Sequence, residues 1–227
     1  MYQRSENPLG AMKIVEKFEK SDISSVIQYF LNVERVCNDY VENGANHITI
    51  PENEFYTNLS PFQVLSEPRK ICPRTKLNWT DKFLVTSDVL QQGWCRSFLN
   101  YIDWVSHIPE LHQLTIDDQI RLVMDRGTSC MDILAGYRAF QNNVHYVKGI
   151  PFSGGAYFPR DDSQNKLIDP GFNPMLKEYA ISIYDEITIP AKELNLSSTE
   201  YALLRVITFL TPGRNFYFQM FNFILHF

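Results

Sequence analysis

Between Asp22 and Gly44 the apolar residues Ile23, Val26, Ile27, Phe30, Val33 and Val36 recur at intervals of three and four, which is the spacing of a surface helix with one buried face. Ser21 or Asp22 offers a cap at its start and Gly44 a stop. Residues 45–80 lose this periodicity and carry Pro51, Pro61, Pro68 and Pro73, so they read as a connection with a short turn of helix. A longer pattern opens at Ser87 or Asp88. Val89, Leu90, Trp94, Phe98, Tyr101, Ile102, Val105 and Ile108 describe an amphipathic helix of about five turns that ends near Pro109. Thr115 with Asp118 then gives a capping-box-like start, Asp117 and Asp118 suit the positive end of a helix dipole, and apolar periodicity runs on towards Phe140.

Val144–Val147 and Ala156–Phe158 flank Ser153, Gly154 and Gly155, the composition of a small hairpin or an extended loop. Asn173 caps a further helix with Pro174 in its first position, running through Met175, Leu176, Tyr179 and Ile183 until Pro190 interrupts it. Ser197 and Glu200 form a capping box that opens Tyr201–Leu210, a segment apolar nearly all round and therefore expected to be a central, buried helix. The expected fold class is all-α with one small β-hairpin.

Composition narrows the function classes. With 227 residues, 44% of them hydrophobic, the chain can bury a sizeable core and reads as one domain. Its formal net charge of -5 would repel a phosphate backbone, so direct nucleic-acid binding is not expected. Cys37, Cys72, Cys95 and Cys130 are scattered without a CxxC pair and read as reduced and mostly buried. Residues 1–20 mix acids and bases like a solvated extension rather than a leader, and the apolar stretch Phe216–Phe227 is short of the roughly 20 residues a spanning helix needs. No membrane partner is expected.

Catalytic constellations fail on geometry. There is no nucleophile elbow, phosphate loop or His-Glu-x-x-His run. His107 and His112 are separated by Pro109 and cannot share a helical face, so they read as surface residues of a turn. Asp117-Asp118 and Asp161-Asp162 read as a helix start and a solvated loop, and Cys130 has no histidine near it in sequence. No catalytic residue, cofactor or metal site is expected, and the chain does not read as an enzyme.

A different pattern carries more information. Ile120, Met124, Gly127, Met131, Leu134 and Arg138 fall within about 40° of one another at 100° per residue. Arg138 thus lies on an apolar stripe. A buried guanidinium needs an answering group: a carboxylate, backbone carbonyls, water or an acidic ligand.

The run Trp104-Val105-Ser106-His107-Ile108-Pro109-Glu110-Leu111, then Leu114, then Asp117-Asp118-Gln119-Ile120-Arg121-Leu122-Val123, is joined by Tyr137-Arg138 and by Glu200-Tyr201-Ala202-Leu203-Leu204-Arg205. In order and spacing this set resembles the ligand-binding domain of nuclear hormone receptors, of the divergent nematode, hepatocyte-nuclear-factor-like type. The resemblance implies a three-layer antiparallel helical sandwich over residues 21–212, preceded by an extension (1–20) and followed by an atypical apolar tail (213–227). The family's last helices, with its dimer face, would be missing. The Phe-rich tail has the bias of translated non-coding sequence.

Position by position, the resemblance places a ligand against Leu90, Gly93, Trp94 and Ser97 on one long helix and against Gly127, Thr128, Met131, Ala135 and Arg138 on the next. It implies a small lipophilic, fatty-acid-like ligand whose acid Arg138 would hold, a coregulator helix as partner, and a nuclear location shared with the cytoplasm. Two departures matter. Ser106 stands where most of the family has a lysine that clamps the coregulator helix, and a serine supplies no positive charge. Gly127 replaces a tryptophan, leaving a larger cavity or one refilled by Trp94. Four scattered cysteines cannot build the family's two four-thiolate zinc modules. The resemblance therefore implies a transcription regulator without its own DNA-binding module, or alternatively an unliganded interaction module or an inhibitory short form of a receptor. It also implies marginal stability.

Overall fold

A computed structural model of the chain describes residues 22–42, 59–142, 149–159, 168 and 173–211. It is mostly helical with a small three-stranded sheet. The chain divides into two compact units. The corner unit comprises Met1–Lys76, Phe98–Thr128 and Thr211–Phe227, and the sheet unit comprises Leu77–Ser97 and Ser129–Leu210.

In the corner unit, helix α1 (Ile23–Asp39) starts at Asp22, whose carboxylate accepts the backbone N–H groups of Ser24 and Ser25 at 3.0 and 3.1 Å. Two of the donors that every helix start leaves open are thereby met. The helix ends at Asp39, ahead of Gly44, which lies outside the described residues. Helix α2 (Pro61–Ser66) is the short turn expected in the connection, capped by a reciprocal Ser60–Gln63 box. The C-terminal half of helix α3 (Ser87–Val105) supplies the core: Leu99, Tyr101, Ile102, Trp104 and Val105 have no exposed surface, each worth ~1.5–3 kcal/mol of burial. Helix α4 (Ile116–Gln141) begins after Thr115, whose Oγ1 accepts the Asp118 N–H and donates to the Asp118 carboxylate.

Polar groups tie these pieces together. Asn100 donates to the Cys37 carbonyl at 3.0 Å, Tyr101 to the Val123 carbonyl at 2.7 Å and Tyr29 to the His107 carbonyl at 2.5 Å. The Arg74 guanidinium grips Asp103 through Nε (2.8 Å) and Nη2 (2.7 Å) and reaches Glu42 through Nη1 (2.7 Å). Both Arg74 and Asp103 are buried. His107 is buried as well, not a surface residue: its Nδ1 lies 2.8 Å from the Asp103 carbonyl, and its own carbonyl is taken by Tyr29. Helix-end carbonyls draw it inward.

In the sheet unit, strand β2 (Gly149–Pro151) pairs antiparallel with β3 (Gly154–Pro159) as the expected hairpin, although its first arm differs from Val144–Val147, which lies outside the described residues. The hairpin turns at Gly155, where φ is +86° and a Cβ would stand 2.6 Å from the Asn78 amide nitrogen. Only glycine fits there. A strand that the periodicity does not reveal, β1 (Asn78–Leu84), joins β3 in parallel, giving the order β1-β3-β2. Its Asp81-Lys82 centre breaks apolar alternation, and its pairing partner lies far along the chain.

Helix α5 (Asn173–Ile183) runs on through a π-helical turn (Tyr184–Thr188) into α6 (Ile189–Glu193). Pro190 therefore does not end the helix. In the widened turn Ile189 N–H bonds to the Tyr184 carbonyl, and Thr188 Oγ1 donates to the carbonyls of Ile183 and Gly136. A proline lacks an N–H and crowds the preceding turn, and a π turn relieves that crowding.

Helix α7 (Ser198–Leu210) carries the Ser197–Glu200 capping box. It is not buried all round. Tyr201, Ala202, Arg205 and Phe209 face inward, whereas Ile207 is 58% and Leu210 55% exposed. The face is set by position, since an arginine is inside and an isoleucine outside. Tyr201 stacks on Tyr137 of α4 with ring centroids 3.9 Å apart.

Candidate functional site

Seven of the nine expected site residues belong to the sheet unit, on the N-terminal half of α3 and the C-terminal half of α4. Leu90, Trp94 and Met131 are buried at 4–6% exposure, Gly93 is buried, and Ser97, Ala135 and Arg138 are half-buried. The hairpin turn covers part of α3. Ser153 Oγ donates to the Gly93 carbonyl at 2.7 Å, and Ser97 Oγ donates to Ser153 Oγ at 2.9 Å. Each hydroxyl has one hydrogen. Both are used in this relay, so Ser97 retains only lone pairs for any further group.

Arg138 sits at the edge of the buried stripe of α4, whose centre runs through Cys130, Leu134 and Tyr137. Its Nη1 donates to Gln141 Oε1 at 2.6 Å, one turn further on. Its Nε is buried and meets no acceptor. Such a donor costs ~1–3 kcal/mol while it stays unmet.

Gly127 and Thr128 fall in the corner unit and are buried there. A Cβ on Gly127 would stand 3.3 Å from Tyr101 Cε1 and 3.7 Å from Phe98 Cε2. The volume that the resemblance assigns to a larger cavity or to Trp94 is bordered here by those two rings. Ser106, at the clamp position, is buried and donates to the Asp103 carbonyl at 2.5 Å.

Sequence reasoning missed Asp132. It is fully enclosed, and Tyr179 OH donates to its Oδ1 at 2.5 Å. Burial pushes its carboxyl up to about 7 and the charge of Glu186 adds to this, while the tyrosine hydrogen bond works the other way. The signal was present: Asp132 is the lone acid in the apolar run Cys130–Tyr137. Tyr179, from another helix, was not foreseeable.

On its outer side the sheet unit has a pocket of about 210 Å³ lined by Phe158, Pro159, Lys177, Ala180, Ile181, Tyr184 and Asp185, none of them an expected site residue. Among the described residues no group of three or more His, Cys, Asp or Glu side chains is placed to hold a metal ion, and no helix is long and apolar enough to cross a membrane. The four cysteines are free, and burial pushes the Cys95 thiol up to about 12.

The family model for the ligand-binding domain of nuclear hormone receptor matches residues 81–220. The chain belongs to this family. Its relatives include nuclear hormone receptor family member nhr-100 of Caenorhabditis elegans, 32% identical over 152 residues, covering 66% of this chain and 34% of that protein. Family member nhr-4 of the same organism is 23% identical over 189 residues, 83% of this chain and 36% of that protein. Hepatocyte nuclear factor 4-alpha of Xenopus laevis is 25% identical over 117 residues, 52% of this chain and 22% of that protein. The chain thus spans about a third, or less, of the length of the curated relatives it matches. No solved structure gives a significant match. Within this receptor domain, the family match takes in α3, α4 and α7 with the capping box and the Arg138 helix end.

Proposed function

We propose that this nuclear receptor domain is the ligand-responsive part of a transcription regulator and takes a small lipophilic ligand with an acidic group. The residues that would hold it are Leu90, Gly93, Trp94, Ser97, Met131, Ala135 and Arg138. The observation that carries the reading is Arg138: a half-buried guanidinium at the edge of an apolar stripe, with Nε enclosed and unmet. A carboxylate accepting from Nε would satisfy that donor in the charge-assisted geometry that arginine favours. Leu90, Trp94 and Met131 supply apolar surface, as ligand sites generally do. Ser97, having spent its hydrogen on Ser153, would accept from a ligand hydroxyl.

We also propose that the protein works in the nucleus and the cytoplasm, reaching promoters through another protein, and that coregulator binding is weak because Ser106 is turned onto Asp103. Native mass spectrometry of the purified chain tests the ligand. An acidic lipid should co-purify with the wild type and be lost from Arg138→Ala; equal retention by both removes Arg138 from the site.

A second reading, an unliganded interaction module, draws support from the Ser97–Ser153–Gly93 relay, which already fills part of the α3 face. It predicts that no lipid co-purifies with either form.

A further inference from the structure

The outer face of α5 and its π turn repeats at one-turn intervals: Lys177, Ile181, Asp185. All three line the 210 Å³ pocket whose other wall is Phe158 and Pro159 at the end of β3. Ile181 is 45% exposed, an uncommon position for an isoleucine flanked by charges of opposite sign. The arrangement is symmetric in position about Ile181 and antisymmetric in charge.

We infer that this face binds the same face of a second copy of the chain, the two α5 helices running antiparallel about a two-fold axis at Ile181. Such an axis brings the residue n places before Ile181 in one copy to the residue n places after it in the other. Lys177 of each copy then meets Asp185 of the other, while the two Ile181 side chains meet on the axis beside the pockets. The exposed Glu178 meets Tyr184 rather than another acid. A parallel arrangement would set lysine against lysine and aspartate against aspartate, so charge selects the orientation. The contact is isologous and closes on itself, as two-fold interfaces do. A single helix face covers less than the ~800 Å² per partner of a standard interface. The dimer is accordingly weak, concentration-dependent and weakened by salt. It requires no ligand at Arg138.

Sedimentation velocity of the full chain over a concentration series tests the pairing. The wild type should pass from one chain to two as concentration rises, and added salt should reverse this. Lys177→Glu alone and Asp185→Lys alone should each remain monomeric, because each puts like charges at both contacts. An equimolar mixture of the two variants should dimerise, because it restores opposite charges at both contacts. The double exchange in one chain should dimerise as well. A wild type that is monomeric throughout overturns the proposal, as does a dimer indifferent to either single reversal or a mixture that stays monomeric.

Discussion

The corner unit and the sheet unit handle buried polarity in opposite ways. Around the α3–α4 corner an enclosed charge is answered by its opposite: Arg74 meets Asp103 through two nitrogens and Glu42 through a third. Around the sheet, the enclosed acid Asp132 meets only a phenol in its hydrogen bonding, and Arg138 Nε meets no acceptor. The same unit leaves Ile181, Leu194, Ile207 and Leu210 open to solvent. The difference teaches that the corner is finished by its own residues, whereas the sheet unit keeps polar and apolar capacity in reserve.

The largest test of that contrast is Arg74→Met, which leaves the Asp103 carboxylate buried without its partner and should cost ~3–5 kcal/mol of unfolding free energy, read by urea titration. Adding Asp103→Asn should recover part of the loss, because no charge then remains enclosed.

Asp132 should show itself as a dependence on pH. Its carboxyl sits at about 7 when folded against 3.8 in the free group, so the folded chain binds the proton more tightly than the unfolded one. This contribution to stability is full below the lower value, falls as pH rises between the two, and is flat above the upper one. Asp132→Asn should remove that slope, a difference on the order of 3 kcal/mol across the window, measured as thermal midpoints of both proteins over a pH series.

Two glycines on α4 extend the comparison to packing. A Cβ on Gly136 would stand 2.5 Å from Ile187 Cγ2 and 2.7 Å from its Cβ, so Gly136→Ala should destabilise the sheet unit by ~1–3 kcal/mol through forced displacement. On Gly127 the nearest atom is the Tyr101 ring at 3.3 Å. There the gain in helix propensity of about 1 kcal/mol offsets a small shift of the ring. Gly127→Ala should change the urea midpoint little, the smallest effect of the series, and a large loss would mean that the corner is less adaptable than its fold suggests.

What the sequence made legible was local. The starts of α1, α4 and α7 are written in Asp22, Thr115 and Ser197, whose caps act within three residues. The long periodicities of α3 and α4 placed Leu90, Trp94 and Met131 inside, as found. Strand β1 escaped because it is stabilised by Gly154–Tyr157, remote in the chain, and not by a pattern of its own. Ser153 and Tyr179 escaped for the same reason: each is a partner brought by the fold to a residue it does not neighbour in sequence. The inward turn of Arg205 and the outward turn of Ile207 show the limit of reading a helix by hydrophobicity alone.

The widened turn at Tyr184–Thr188 makes the stretch before Pro190 a matter of residue count rather than residue identity. Deleting one residue there would let ordinary helical bonds close, and would swing everything after it by about 100° while drawing it back by ~1.5 Å. Side-chain replacements in this segment should be absorbed locally. A one-residue gain or loss would instead re-aim Ala191, which is buried, and Leu194, which is exposed, exchanging inside for outside without altering a single downstream residue.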